Sequence, residues 1–212
     1  MILLDHLVVA ARNLEEGAAW LESRLGAFLS PGGRHVLMGT HNRLLSLGEG
    51  RYLELLCVDP KAPPPGRPRW FDLDAAAMQV RLARSPALIH WTVRTDDIEG
   101  AIAATAGGRP EILSMARSGL RWKIGVPASG RLAQAGVSPT VLEWAGRHPS
   151  EMLPESGCRL EQLILMHPQA KQTLASLRRG GLPAEEPVET RDTGLGLQAR
   201  IRTPRGIVEL GS

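Results

Sequence analysis

The stretch RYLELLCV, residues 51–58, holds one glutamate in an otherwise strand-like apolar run. Tyr52, Leu53, Leu55, Leu56, Cys57 and Val58 suit a strand interior; Glu54 does not. A carboxylate there is costly unless a cation or a hydrogen bond compensates it. The same pattern returns twice further along, as VLEWA around Glu143 and IVELG around Glu209. Each of these closing runs follows an opening run with an imidazole or amide at a matching place. LLDHLVV carries His6, ALIHWTV carries His90 and RLEQLIL carries Gln162.

Between the opening and closing runs lie a helical pattern and further short β-like runs. The helical patterns are 3–26, 87–108 and 158–181 with their opening strands. Asn13 with Glu16, and Asp96 with Glu99, fit an N-cap and its capping-box partner. Pro168 stands where a first helical residue is expected. Gly26, Gly107 and Gly180 are placed to stop the helices. The runs that follow are RHVLMGT, NRLLSLG and RYLELLCV, then PEILSMA, RWKIGVP and PTVLEWA, then PVETRD, LGLQARIRT and GIVELG. The repeat is therefore strand, helix, strand, strand, strand, three times over. It predicts an α+β chain of three βαβββ units, at 1–58, 87–149 and 158–212. A connector at 59–86 separates the first two; its proline-rich part excludes regular helix, and WFDLDAAAMQVRLA predicts a short one.

Side chains alternate along a strand, so His6 shares a face with Val8, and Glu54 with Tyr52 and Leu56. A helix crossover followed by two hairpins can bring the fourth strand beside the first, setting His6 near Glu54 and His90 near Glu143. Imidazole and carboxylate together suit a first-row divalent ion. Either histidine alone more commonly reads as a core residue bonded to a backbone carbonyl. Gln162 and Glu209 read as structural.

Composition narrows the alternatives. Of 212 residues 43% are hydrophobic, enough for a substantial core, and net charge is +3. The basic residues are scattered and no nucleic-acid motif accompanies them, which argues against nucleic acid. No apolar run reaches membrane-spanning length and the N-terminus lacks a signal-peptide pattern. Cys57 and Cys158 form no metal or redox motif and read as the reduced thiols of a cytoplasmic protein. GLGL at 194–197 is too short for a nucleotide fingerprint, and no nucleophile elbow is present.

The unit, with His or Gln on its first strand and Glu on its last, resembles the vicinal oxygen chelate superfamily. LDHLVVAARNLEEGAAWL and GGRHVLMGTHNRLLSLGEGRYLELL resemble its glyoxalase-like domain branch. The resemblance implies two units paired as a glyoxalase/bleomycin-resistance-like half-barrel around a cavity. It implies a divalent metal (Mn, Fe, Co, Ni or Zn) held by His6, Glu54, His90 and Glu143, with Glu54 or Glu143 moving a proton. Members isomerise, epimerise, oxygenate or add thiols; others bind small molecules without chemistry. A metal-assisted isomerase, lyase or dioxygenase type is therefore expected, with a metal-free sequestering protein as the alternative and a cavity filled by its own side chains as a third class.

For the ligand, Asn42 and Arg43 border the cavity in the resembled branch, which also carries a tryptophan and a His-Pro pair like Trp144 and His148. By alternation Trp144 faces away from Glu143, and on that ground it reads as core against a helix. Asn42 and His148 equally suit turns. Arg34, Arg43, Arg51, Arg117 and Arg121 lie near strands; two converging in the cavity would select an anion. A third unit without an intramolecular counterpart leaves apolar strands uncovered. A homodimer through 158–212 is expected, the competing arrangement being a monomer whose third unit packs on the connector.

Overall fold

The computed structural model describes residues 1–103, 105 and 108–212. The first unit comprises β1 (Ile2–Ala10), α1 (Leu14–Leu25), β2 (Ser30–His35), β3 (Thr40–Ser46) and β4 (Tyr52–Val58). The second comprises β5 (Ala87–Thr95), α3 (Ile98–Ile102), β6 (Glu111–Arg117), β7 (Leu120–Val126) and β8 (Thr140–Ala145), preceded by the connector helix α2 (Ala76–Arg84). Together they build one eight-stranded sheet, in the order β2-β3-β4-β1-β5-β8-β7-β6. β4 runs parallel to β1, β8 parallel to β5, and β1 meets β5 antiparallel at the centre. The sheet curls until its two edge strands approach, where Arg117 Nη1 donates to His35 Nε2 at 2.9 Å. This is the expected α+β half-barrel.

The helix signals hold in part. Asn13 Oδ1 accepts from Glu16 N at 2.8 Å, and Gly26 closes α1 in the left-handed region at φ 66°. In the second unit Asp97, not Asp96, caps α3, accepting from Gly100 N at 3.0 Å. The expected stop at Gly107 lies outside the described residues. Pro168 precedes the helix α4 (Ala170–Arg179) rather than opening it. The run expected from Arg34 as a strand is a strand only to His35, followed by a 3-10 turn at Val36–Met38.

The third unit has the same order of elements, β9 (Arg159–Met166), α4, β10 (Val188–Arg191), β11 (Gly196–Thr203) and β12 (Gly206–Gly211), but a different sheet. Its order is β10-β9-β11-β12, so the strand of Glu209 does not lie beside the strand of Gln162. Gln198 Nε2 donates to Glu209 on the surface instead. The third sheet belongs to one continuous core with α1 and the outer face of β1 and β5, joining Leu160, Leu163, Leu165, Leu197 and Ile201 to Leu4, Leu7, Leu88 and Trp91. Polar anchors fix it there. Glu186 accepts from Leu4 N at 3.2 Å and from Arg51 Nη2 at 2.9 Å, and Ser212 Oγ donates to Leu88 O at 3.0 Å. The apolar strands from which a homodimer was argued are thus covered within the chain, and by the main sheet rather than by the connector.

A second core lines the inner, concave face. It brings Val8, Leu56, Trp122, Ile124 and Leu142 of the sheet against Trp70, Phe71, Leu73, Met78 and Leu82 of the connector. No helix among the described residues is long and apolar enough to cross a membrane.

Candidate functional site

Glu54 does sit inside the half-barrel, nearly fully buried. One carboxylate oxygen accepts from Asn42 Nδ2 and lies 3.9 Å from His35 Nε2; the other lies 3.6 Å from His6 Nε2. The register explains the meeting. His6 pairs with Tyr52 and Val8 with Glu54 on the parallel β1–β4 ladder, so His6, Tyr52 and Glu54 share the inner face. The His6 ring stacks on Tyr52 with centroids 4.4 Å apart.

Asp5 was not singled out by its sequence, because alternation places it opposite to His6. The β1–β5 ladder slips between Leu4 and His6, leaving Asp5 unpaired across the strands. Such a bulge re-aims side chains. Asp5, fully buried, therefore reaches His6 Nδ1 at 2.5 Å through one oxygen. Its other oxygen accepts from Trp144 Nε1 and meets His148 Nε2, each at 2.9 Å. Thr92 Oγ1 lies 2.8 Å from His6 Nδ1. A hydrogen-bonded array thus runs from His148 through Asp5 to His6, whose Nε2 faces Glu54 across an ion-pair contact of 3.6 Å.

Its electrostatics follow from these partners. Burial opposes charge on His6, but the bonds to Asp5 and Glu54 outweigh it and push the imidazolium up to about 9. Burial would raise Glu54, yet His6, His35 and Asn42 together hold it down at about 2. Burial would also raise Asp5, and its hydrogen bonds to His148 and His6 overcome that and keep it well below the carboxylate range. At neutral pH the site is an imidazolium between two carboxylates.

His35 differs. Burial, with the Arg117 cation adding to it, brings its pKa down to about 4, leaving a neutral ring. Its Nε2 accepts from Arg117, so Nδ1 carries the proton and donates to Thr40 Oγ1 at 3.0 Å.

The four residues expected to ligate a metal do not come together. His90 is neutral, pushed down to about 3 by burial. Its Nδ1 lies 3.1 Å from Gly136 O and its Nε2 2.9 Å from Thr140 Oγ1, so both ring nitrogens are engaged by protein. Its ring packs on Phe71, 4.7 Å away. Glu143 is on the outer face, bound to Lys123 Nζ at 2.8 Å and to Ile98 N at 3.1 Å. Leu142 and Trp144, its neighbours, line the cavity instead. Trp144 is consequently a cavity wall and not packing against a helix. Among the described residues no group of three or more His, Cys, Asp or Glu is arranged to hold a metal ion. His6, bonded to Asp5 and Thr92, and Glu54, bonded to Asn42, are left as two of the expected four ligands and do not fit that centre.

Of the arginines, Arg117 lines the cavity. Arg43 falls on the opposite face of β3 from Asn42, Arg34 pairs with Asp59, Arg51 with Glu49 and Glu186, and Arg121 is exposed. The cavity has two halves of about 30 Å³ each. One holds His6, Glu54, His35 and Arg117, and the other holds His90, Ser138 and Thr140; Trp70 and Phe71 border both.

A curled sheet of two βαβββ units around a polar cavity is the architecture of the vicinal oxygen chelate superfamily. The glyoxalase-like domain family matches residues 4–180, and the chain belongs to that family. No curated protein matches it. Among solved structures, a hypothetical protein from Staphylococcus aureus is similar over 99% of this chain and 98% of its own, with TM-score 0.66 and 15% identity. Methylmalonyl-CoA epimerase from Mycobacterium tuberculosis matches 66% of this chain and 85% of its own, with TM-score 0.41 and 15% identity. A Streptomyces coelicolor methylmalonyl-CoA epimerase, in complex with 2-nitronate-propionyl-CoA, matches 68% and 96%, with TM-score 0.41 and 16% identity.

Proposed function

We propose that the chain is an enzyme that moves a proton on a small, oxygen-rich molecule in the inner cavity. The carrying observation is the buried pair His6–Glu54, its two members 3.6 Å apart and oppositely charged. Glu54, fixed by Asn42, takes a proton from carbon next to a carbonyl. His6 Nε2, protonated because Asp5 holds Nδ1, donates to the oxygen on which negative charge gathers. Placing both groups in a water-poor cavity strengthens the second interaction where it matters. Arg117 supplies a cation for a carboxylate or similar anion. No step is assigned to a metal, because His90 and Glu143 are committed elsewhere.

The test is exchange of the carbon-bound proton for deuterium in a panel of small 2-oxo and 2-hydroxy acids, followed by NMR in D₂O. Wild type exchanges at least one member, and Glu54→Gln slows it by about 10²–10⁴-fold. Binding without exchange would instead favour sequestration, a reading supported by the aromatic walls of Tyr52, Trp122 and Trp144.

A further inference from the structure

We infer that the Trp70–Phe71 pair of the connector is a displaceable plug, and that the ligand taking its place is a planar aromatic acid. The inference rests on reading the inner cavity as the ligand site, and names the class of molecule that site admits.

The pair stands where a ligand would. Trp70 and Phe71 stack on each other, with centroids 5.4 Å apart, and form the partition between the two cavity halves. Trp70 packs edge-on against His35 at 5.0 Å, and Phe71 lies against His90 at 4.7 Å. Withdrawing them would join the His6–Glu54 side to the His90–Thr140 side.

The pair is also seated less well than the rest of the interior. Phe71 and Asp72 both adopt left-handed backbone, at φ 61° and 58°. Two successive non-glycine residues there, one of them bulky, are strained, and such strain concentrates at switch segments. Buried indole nitrogens normally find an acceptor. Trp91 Nε1 donates to Val137 O at 2.8 Å and Trp144 Nε1 to Asp5 at 2.9 Å, whereas Trp70 Nε1 is buried with no partner. Of the six buried side-chain polar atoms without a hydrogen bond among the described residues, three belong to Arg67 and Trp70 of the connector and a fourth, on Asp59, is compensated by the Arg34 cation at 3.1 Å. The bonds that displacement would open lie on and beside the pair: Leu73 N donates to Trp70 O at 3.3 Å, Asp72 N to Gly130 O at 2.9 Å and Leu132 N to Asp72 Oδ2 at 3.1 Å, while Arg69 holds Asp74.

The class of ligand follows from what the pair buries. Trp and Phe each remove about 150–250 Å² from water. A small aliphatic acid returns too little apolar area to hold them out. A fused planar ring returns most of it, between walls that are already aromatic, while a carboxylate reaches Arg117 and His6.

The experiment uses 2-naphthoate as probe, with cyclohexanecarboxylate as the non-aromatic control, on the full chain. Binding is read by calorimetry and plug position by hydrogen exchange at residues 69–75. Wild type binds 2-naphthoate in preference to the control, and exchange at 69–75 accelerates while β4 gains protection. Phe71→Gly, which relieves the left-handed strain and removes one ring, binds about tenfold tighter because less of the closed state competes. Binding with unchanged exchange at 69–75, binding by the variant alone, or no preference for the aromatic acid would each overturn the proposal. So would the absence of binding by both proteins up to about 1 mM, a free energy near −4 kcal/mol. Glu54→Gln separates this from the proton-transfer reading: it retains 2-naphthoate binding and plug displacement even where wild type catalyses no exchange on any substrate.

Discussion

Glu54, His35 and His90 occupy one concave face, yet the chain treats their charges oppositely. Glu54 is kept ionised by His6 and Asn42, while His35 and His90 are kept neutral by burial. Stability therefore depends on pH with a computable sign. His35 and His90 have folded pKa values below the unfolded value of about 6.5, so the unfolded chain binds more protons as pH falls, and stability present above 6.5 is lost towards 4 and 3. Glu54 adds a further loss as pH falls below its unfolded value of 4.5 towards 2. His6 is raised to about 9, so its contribution is complete below 6.5 and disappears as pH rises through 9. Urea midpoints should thus be greatest near pH 6.5 and fall on both sides, and His90→Gln should flatten the limb between 6.5 and 4. An acid limb unchanged in that variant would contradict a neutral buried His90. At this scale the sequence was informative about His6 and Glu54, because polar residues recurring in apolar strands demand partners. Asp5 stayed hidden since a bulge cannot be read from alternation, and His35 since RHVLMGT reads as one strand while the chain turns at Val36–Met38, so His35 ends its strand instead of opening it.

Strand register decided which expectations about elements survived. Matching YLELL to VLEWA by their glutamates puts Glu143 in the cavity. The ladders put Lys123 opposite Glu143 and Trp122 opposite Trp144, with the tryptophans inside. A one-residue shift exchanges the faces of a strand, and composition alone does not fix it when both faces are largely apolar. Beside His90 the inward residue is Thr140, which explains why the second histidine bonds a hydroxyl rather than a carboxylate. Glu143→Gln should accordingly leave the urea midpoint and any proton exchange unchanged, since it removes only a part-exposed ion pair with Lys123. Glu54→Gln should slow exchange by about 10²–10⁴-fold. Equal losses in the two variants, measured side by side, would return Glu143 to the cavity. The helices were more legible than the strands, because an Asn cap and a left-handed glycine act locally; at α3, only five residues long, the reading fell on Asp96, one residue short of the actual cap Asp97.

The whole molecule joins two different sheets through an asymmetric contact, and repeat logic alone did not anticipate it. Three similar runs of sequence suggested three similar units, but pairing order is set by packing partners that a local pattern does not contain. In the third unit β11 takes the place beside β9 that β12 was expected to occupy, and the sheet's apolar side covers β1 and β5. Glu186 is the polar joint of that contact. Its carboxylate, 7% exposed, satisfies both Leu4 N and the Arg51 guanidinium. Glu186→Ala would leave the Leu4 amide without this acceptor and Arg51 with only the exposed Glu49 as partner, at a cost of about 2 kcal/mol. The loss should belong to the entire chain. All five tryptophans, at 20, 70, 91, 122 and 144, precede the third unit, and Trp91 packs in the core shared with it, so fluorescence reports the first two units, the connector and that contact while circular dichroism reports the whole chain. With one continuous core the two signals should share a single urea transition in wild type and shift together in Glu186→Ala. A variant that unfolds in two separated steps, the first perturbing Trp91 and only part of the ellipticity, would show the third unit detaching by itself, and the continuous core would then be too weak to couple the two sheets.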